Sequence, residues 1–171
     1  MRTEPTDHKW DLNPIFHPKS MVVIGLSKRN FNHPGNTTFI KNQMEMKVRT
    51  YGVAPNMDHE QGFQIYKSVF DLPEVPDLAV ICVGTQNAYA AIKDAADFGI
   101  KGLVVITAGF AEVGAKGKEL QDAIVKICYE HNMPLIGPNC VGVVTPPIVD
   151  TIFLPTERLV KPHAGNVAFV S

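Results

Sequence analysis

Three apolar runs without a single charge constrain this chain more than any other feature: MVVIG at 21–25, LAVICVG at 78–84 and GLVVIT at 102–107. A strand that is apolar at every position is buried on both faces, so a sheet built from such strands needs cover above and below. The stretches between the runs can supply it. QNAYAAIKDAADFG, 86–99, reads as an Ala-rich helix closed by Gly99 just past its C-cap. KGKELQDAIVKICYEHN, 116–132, sets Leu120, Ile124, Ile127 and Cys128 on one stripe. NTTFIKNQMEMK, 36–47, carries Phe39, Ile40 and Met44 at helical spacing, with Pro34-Gly35 as entry turn and Asn36 as N-cap. VRTYGVAPN at 48–56 alternates and reads as a second strand, and MPLIGPN at 133–139 as a short fifth one. LNPIFHPKS, 12–20, forms one turn that packs Ile15 and Phe16 against the first strand, and FQIYKSVFDLP is a connector with a short turn near SVFDL.

Strands alternating with helices imply parallel pairing through right-handed crossovers. The expected fold is α/β, a Rossmann-like, doubly wound, mostly parallel sheet with helices on both faces. The 171 residues suit one domain with a fragment of a second. Residues 1–145 form the domain, with 1–12 as a flexible arm. Residues 146–164 read as a Pro-rich linker, and GNVAFVS at 165–171 as the first strand of a truncated second domain, the alternative being an edge strand of this sheet. A net charge of −1 leaves no basic excess for nucleic acid. No apolar run approaches the ~18 residues of a membrane helix, and the polar N-terminus lacks a signal-peptide core. Cys82, Cys128 and Cys140 are widely spaced, as suits free thiols in a reducing cytoplasm. The six histidines are scattered, with no metal-site spacing.

In a doubly wound sheet, ligands bind outside the carboxyl ends of the strands. Those ends read Gly25-Leu26-Ser27-Lys28, Ala54-Pro55-Asn56, Gly84-Thr85-Gln86, Thr107-Ala108-Gly109 and Gly137-Pro138-Asn139-Cys140. They are small or polar, with no Ser/His/Asp set, carboxylate pair or metal cluster, so no catalytic and no metal-binding residue is expected. The loop after the first strand places the cations Lys28 and Arg29 before a helix start, a combination suited to a pyrophosphate. The G-x-G-x-x-G spacing is absent, and so is the acid that an NAD-binding domain carries at the end of its second strand. An NAD-binding domain is therefore the weakest alternative.

NPIFHPKSMVVIGLS, YGVAPN, LAVICVG, GLVVITAGFAEVG, LIGPNCVGV and the closing GNVAFVS resemble the nucleoside-diphosphate-forming acyl-CoA synthetases. That family includes the ADP-forming acetyl-CoA synthetases and is related to the succinyl-CoA synthetase α subunit. The resemblance implies a CoA-binding domain of an enzyme that interconverts acyl-CoA, ADP and phosphate with acid, CoA and ATP. It implies coenzyme A as ligand, and ATP/ADP with Mg only in the complete enzyme. The implied partners are the remaining domains or a β subunit, and a homo-oligomer is compatible. By the same resemblance, Gly25, Ser27, Lys28, Arg29 and Asn30 approach the CoA phosphates, and Pro55 and Asn56 the adenosine half. Val83, Gly84 and Thr85, with Ile106, Thr107 and Ala108, follow the adenine and pantetheine, and Asn139 lies toward the thiol end. The family commonly has a lysine just past this proline, suited to the 3′-phosphate; here Asn56 and Met57 stand there, which leaves that contact to Lys28 or Arg29 or else weakens binding. No position matches the family's phosphorylated histidine, and His163 in the linker is not its counterpart. The alternative function is a stand-alone CoA-binding regulatory module.

Overall fold

A computed structural model describes residues 8–154 and 160–170. A short helix α1 (Asn13–Phe16) precedes strand β1 (Ser20–Ile24). Helix α2 (Pro34–Glu45) then leads to β2 (Arg49–Val53), and a small hairpin of β3 (His59–Glu60) and β4 (Phe63–Tyr66) follows. β5 (Leu78–Ile81), α3 (Thr85–Phe98), β6 (Gly102–Val105), α4 (Ala115–Glu130) and β7 (Leu135–Ile136) complete the alternation. The chain closes on a hairpin of β8 (Val144–Thr145) and β9 (Val149–Asp150).

The main sheet runs β3-β4-β2-β1-β5-β6-β7, with every pairing parallel except β3 with β4. This is the doubly wound α/β architecture expected. From β1 the chain builds outward through β2 on one side and through β5 on the other, so the order reverses between β1 and β5. Side chains of the central strands alternate between two cores. Val22, Ile24, Ala79, Ile81, Leu103 and Val105 face α3 and α4, where they meet Ile92 and Ile124. Met21, Val23, Leu78, Val80 and Val104 face the opposite layer, where Ile15 of α1 and Phe39 of α2 are fully buried. Each such aliphatic or aromatic side chain contributes about 1.5–3 kcal/mol by leaving water.

Several boundaries differ from the sequence reading. The connector at 63–73 contains β4, which pairs Gly52 with Ile65 and Val53 with Tyr66. Only Ile65 of its four residues is buried, so its apolar alternation was too short to register. Helix α2 begins two residues early, at Pro34, because the His33 ring caps it and frees Asn36 for another task. Residues 1–7 of the expected arm lie outside the described residues. The rest of it is docked: His8 and Trp10 pack on Tyr129, with the Trp10 and Tyr129 ring centroids 5.0 Å apart.

The expected linker also needs correction. Its opening half, from Pro146, turns back on the domain as the β8–β9 hairpin. Lys47 N–H donates to Pro147 O at 3.0 Å and Val48 N–H to Ile148 O at 3.1 Å. Val149, Asp150 and Thr151 are buried. Polar side chains of α2 make the clasp. Asn42 Nδ2 donates to Asp150 O at 2.6 Å, Asn42 Oδ1 accepts from Asp150 N–H at 3.0 Å, and Lys41 Nζ pairs with Asp150 Oδ1 at 2.9 Å while also donating to Ile152 O. Residues 155–159 lie outside the described residues. The stretch 165–170, expected as a strand, forms none: Val167, Phe169 and Val170 are exposed and pair with no ladder, and an unpaired strand has nothing to hold it. Ser171 is outside the described residues.

The Lys41–Asp150 pair is the chain's one nearly buried salt bridge among the described residues, with side chains 4% and 11% exposed. Removing one partner leaves an uncompensated charge. Asp150→Asn is expected to cost about 3 kcal/mol or more in urea unfolding, and Lys41→Met combined with Asp150→Asn to recover part of that loss. Equal stability of the single and double variants would count against a strong pair.

Candidate functional site

The site is assembled at the carboxyl ends of β1, β5, β6 and β7. At the end of β1 the backbone turns sharply at Gly25 (φ 103°), whose N–H donates to Val53 O at 2.9 Å. The first turn of α2 lies directly against it. A Cβ on Gly35 would come within 2.1 Å of Gly25 O, so only glycine allows this approach. The intervening loop is held by its own side chains. Ser27 Oγ accepts from Arg29 N–H at 3.3 Å and Asn30 N–H at 3.2 Å. Asn36, freed from capping, clamps Ser27 from both sides: Oδ1 accepts from its N–H at 2.7 Å and Nδ2 donates to its carbonyl at 3.0 Å. Lys28, Arg29 and Asn30 are left exposed on the rim.

The ends of β5 and β6 are tied together. Thr85 Oγ1 donates to Ala108 O at 2.6 Å, and Thr107 Oγ1 donates to Val83 O at 2.7 Å. Beyond them Glu112 accepts from Gly109 N–H at 2.7 Å and Phe110 N–H at 3.1 Å. These backbone donors, Gly109 first, hold the Glu112 carboxyl below the ordinary carboxylate range. Asn139 N–H reaches Thr107 O at 3.0 Å and brings in the turn after β7.

Between these loops lies an open crevice of about 460 Å³. Val83, Gly84, Thr85, Ile106, Thr107, Ala108 and Asn139, all sequence candidates, line it together. Gly25 does not line it but packs directly behind Cys82 and Val83, which do: a Cβ on Gly25 would come within 2.8 Å of both. Ser27, Lys28, Arg29 and Asn30 form the neighbouring rim and do not line it. Pro55 and Asn56 are exposed at the end of β2, also outside it. Besides Cys82 and Cys140, four lining residues stand outside the candidate set, and of these the sequence pointed only to His33, as a loop histidine able to touch a ligand but more readily solvated. His33 and Pro34 lie inside the wall because α2 starts early, and Val141 and Phe153 arrive with the segment around the terminal hairpin. Sequence reasoning also missed Lys67, carried by the unrecognised β4 to the end of β2. There Lys67 Nζ donates to Met57 O at 2.9 Å and pairs with Asp58 at 2.6 Å, holding the Asp58 carboxyl low. Met57 itself points into the core.

The chemistry of the crevice is that of binding. Burial pushes the Cys82 thiol up to about 12 and raises that of Cys140, so both are protonated at neutral pH. The Cys140 Sγ–H donates to Val105 O at 3.4 Å. Burial also lowers the His33 pKa, which keeps its imidazole neutral. Among the described residues no three His, Cys, Asp or Glu gather as a metal site would require, and no helix is long and apolar enough to cross a membrane.

A family model described as a CoA-binding domain matches residues 19–146, from just before β1 through β8. The chain belongs to the CoA-binding domain family. Two curated relatives of this CoA-binding domain are ADP-forming ligases. It is 34% identical over 157 residues to acetate–CoA ligase [ADP-forming] I of Archaeoglobus fulgidus, and 35% identical over 162 residues to 4-hydroxybutyrate–CoA ligase [ADP-forming] of Nitrosopumilus maritimus. These alignments cover 92% and 93% of the chain but 22% of each ligase, so the chain spans about a fifth of their length. A solved acetyl-coenzyme A synthetase 1 from Ca. Korarchaeum cryptofilum, in complex with phosphate and ADP, superposes with a TM-score of 0.77 at 32% identity, over 85% of this chain and 31% of that one.

The Glu112 cap gives a pH signature. Its folded pKa is depressed, so its contribution is complete above the unfolded-state value near 4.5 and is lost as pH falls through the folded value. The protection factors of the Gly109 and Phe110 amides, exchange referred to the intrinsic rate at each pH, should therefore fall in the CoA-binding domain as pH drops below the ordinary Glu value of 4.5, and Glu112→Gln should remove that step. Protection factors at these amides that do not change across that range would show that Glu112 does not hold the loop.

Proposed function

We propose that this chain is the CoA-recognition part of an acid–thiol ligase that interconverts acyl-CoA, ADP and phosphate with free acid, CoA and ATP. The observation that carries the reading is the arrangement at the reversal point: an apolar crevice fitted to a flexible arm, flanked by a rigid, cation-bearing loop fitted to phosphates. In this reading Gly25, Ser27, Lys28, Arg29 and Asn30 meet the pyrophosphate. Backbone N–H groups and paired cations there form charge-assisted bonds of the strong kind. Val83, Gly84, Thr85, Ile106, Thr107, Ala108 and Asn139 enclose the pantetheine arm. Pro55 and Asn56 border the adenosine, and Lys67 takes the place of the lysine absent after Pro55.

Phosphoryl transfer falls to parts of the enzyme outside these residues: other domains of the same polypeptide or a separate subunit, with ATP or ADP and Mg. Relatives of near-equal identity are named for acetate and for 4-hydroxybutyrate. That agrees with acyl selectivity lying elsewhere than in this domain.

CoA should raise the melting temperature, by the equivalent of about 2.7 kcal/mol at a hundred times its Kd, while NAD should leave it unchanged. A shift with NAD and none with CoA would sink the proposal. Replacing Lys28 and Arg29 together by Ala should weaken CoA about tenfold at low salt and less at high salt. Calorimetry with dephospho-CoA tests the adenosine end separately. The unsubstituted chain should prefer CoA, and Lys67→Ala should lose that preference while still binding dephospho-CoA; a preference that survives Lys67→Ala removes Lys67 from the site.

A further inference from the structure

The polar groups lining the crevice are mostly committed to the protein. Thr85 and Thr107 donate to Ala108 O and Val83 O, and Cys140 faces Val105 O. Apart from the buried Cys82 thiol, the lining side chains with uncommitted hydrogen-bonding groups among the described residues are His33 and Asn139. Of these, His33 has a fixed proton. Its Nδ1 accepts from Gly35 N–H at 3.2 Å and so carries no hydrogen; in the neutral ring the proton sits on Nε2. No described residue accepts from Nε2. Val83, Ile106, Val141 and Phe153, which line the same crevice, are apolar, while the cations of the phosphate loop stand outside on the rim. An N–H donor in an apolar slot selects a neutral acceptor, because an unpaired donor there is costly once water leaves.

We propose that His33 is a ligand-binding residue, whose Nε2–H donates to an amide or thioester carbonyl of the pantetheine arm. The ring then has two jobs on its two nitrogens. Nδ1 caps α2 and fixes the tautomer; Nε2 presents the donor so fixed. Neither usual N-cap side chains nor a solvated loop histidine would do both. The inference rests on the CoA reading of the crevice.

The two jobs separate experimentally. His33→Ser keeps a side-chain oxygen for Gly35 N–H and removes the donor. Its melting temperature should stay within about 2 °C of the unsubstituted chain. Its Kd for CoA, and for pantetheine followed by NMR, should rise about tenfold, with affinity for adenosine 3′,5′-bisphosphate unchanged. His33→Asp, a second capping residue without a donor on the ring position, should give the same loss with pantetheine, a probe free of phosphate. Retention of pantetheine affinity within about twofold in both variants overturns the proposal, because the ring would then be a cap alone. So does a loss confined to adenosine 3′,5′-bisphosphate, which would make the acceptor a phosphate. If the unsubstituted chain binds neither CoA nor pantetheine, the CoA reading fails and this inference with it.

Discussion

The close approach of α2 to the end of β1 fixes where a ligand can lie. Gly35 sits so near Gly25 that a methyl group on it would overlap the Gly25 carbonyl. That contact brings the helix N-terminus, with the positive end of its dipole, to the point where the strand order reverses. The loop between the two glycines then has no room to fold inward. It is forced out over the rim, and Ser27 and Asn36 lock it there. The cations end up outside the crevice and the apolar walls inside it, so one geometric constraint divides the site into a charged half and a greasy half.

The fold was legible because its strongest signals are also its most buried elements. Apolar runs such as LAVI and GLVV could be nothing but two-faced strands, and both are fully buried. The site was legible wherever it is made of strand ends. It was obscure where position depends on a partner far along the chain. Phe153 belongs to the crevice wall only because Lys41 and Asn42, over a hundred residues earlier, hold Asp150. Lys67 reaches the end of β2 only because four residues, of which only Ile65 is buried, pair as β4. His33 resembled any loop histidine until its ring was seen taking the cap that Asn36 was expected to provide. Local pattern reports propensity and burial; it does not report which of two capping side chains a neighbouring loop will claim.

Rigidity is the other property that the hydrogen bonds create. Thr85, Thr107, Glu112 and Asn139 join the loops after β5, β6 and β7 through bonds that run from one loop to the next or close a loop on itself. A loop already held in its final shape loses little entropy when a ligand arrives. Such bonds also withdraw those groups from the ligand. The crevice can therefore be selective with very few free donors, and each one that remains carries more weight.

The same desolvation bears on what the domain leaves undone. Burial holds Cys82 near 12 and raises Cys140, with no cation among the described residues that line the crevice to oppose it. A ligand thiol lying along these walls meets no cation among the described lining residues to lower its pKa, so it stays protonated at neutral pH as a free thiol does. The rim cations Lys28 and Arg29 lie beyond the crevice and, exposed to water, are screened from it. On the CoA reading, then, this domain delivers a neutral thiol in a defined orientation. The base or charge that makes it a nucleophile must approach from outside the crevice, at its open side, where an acyl donor would also have to enter.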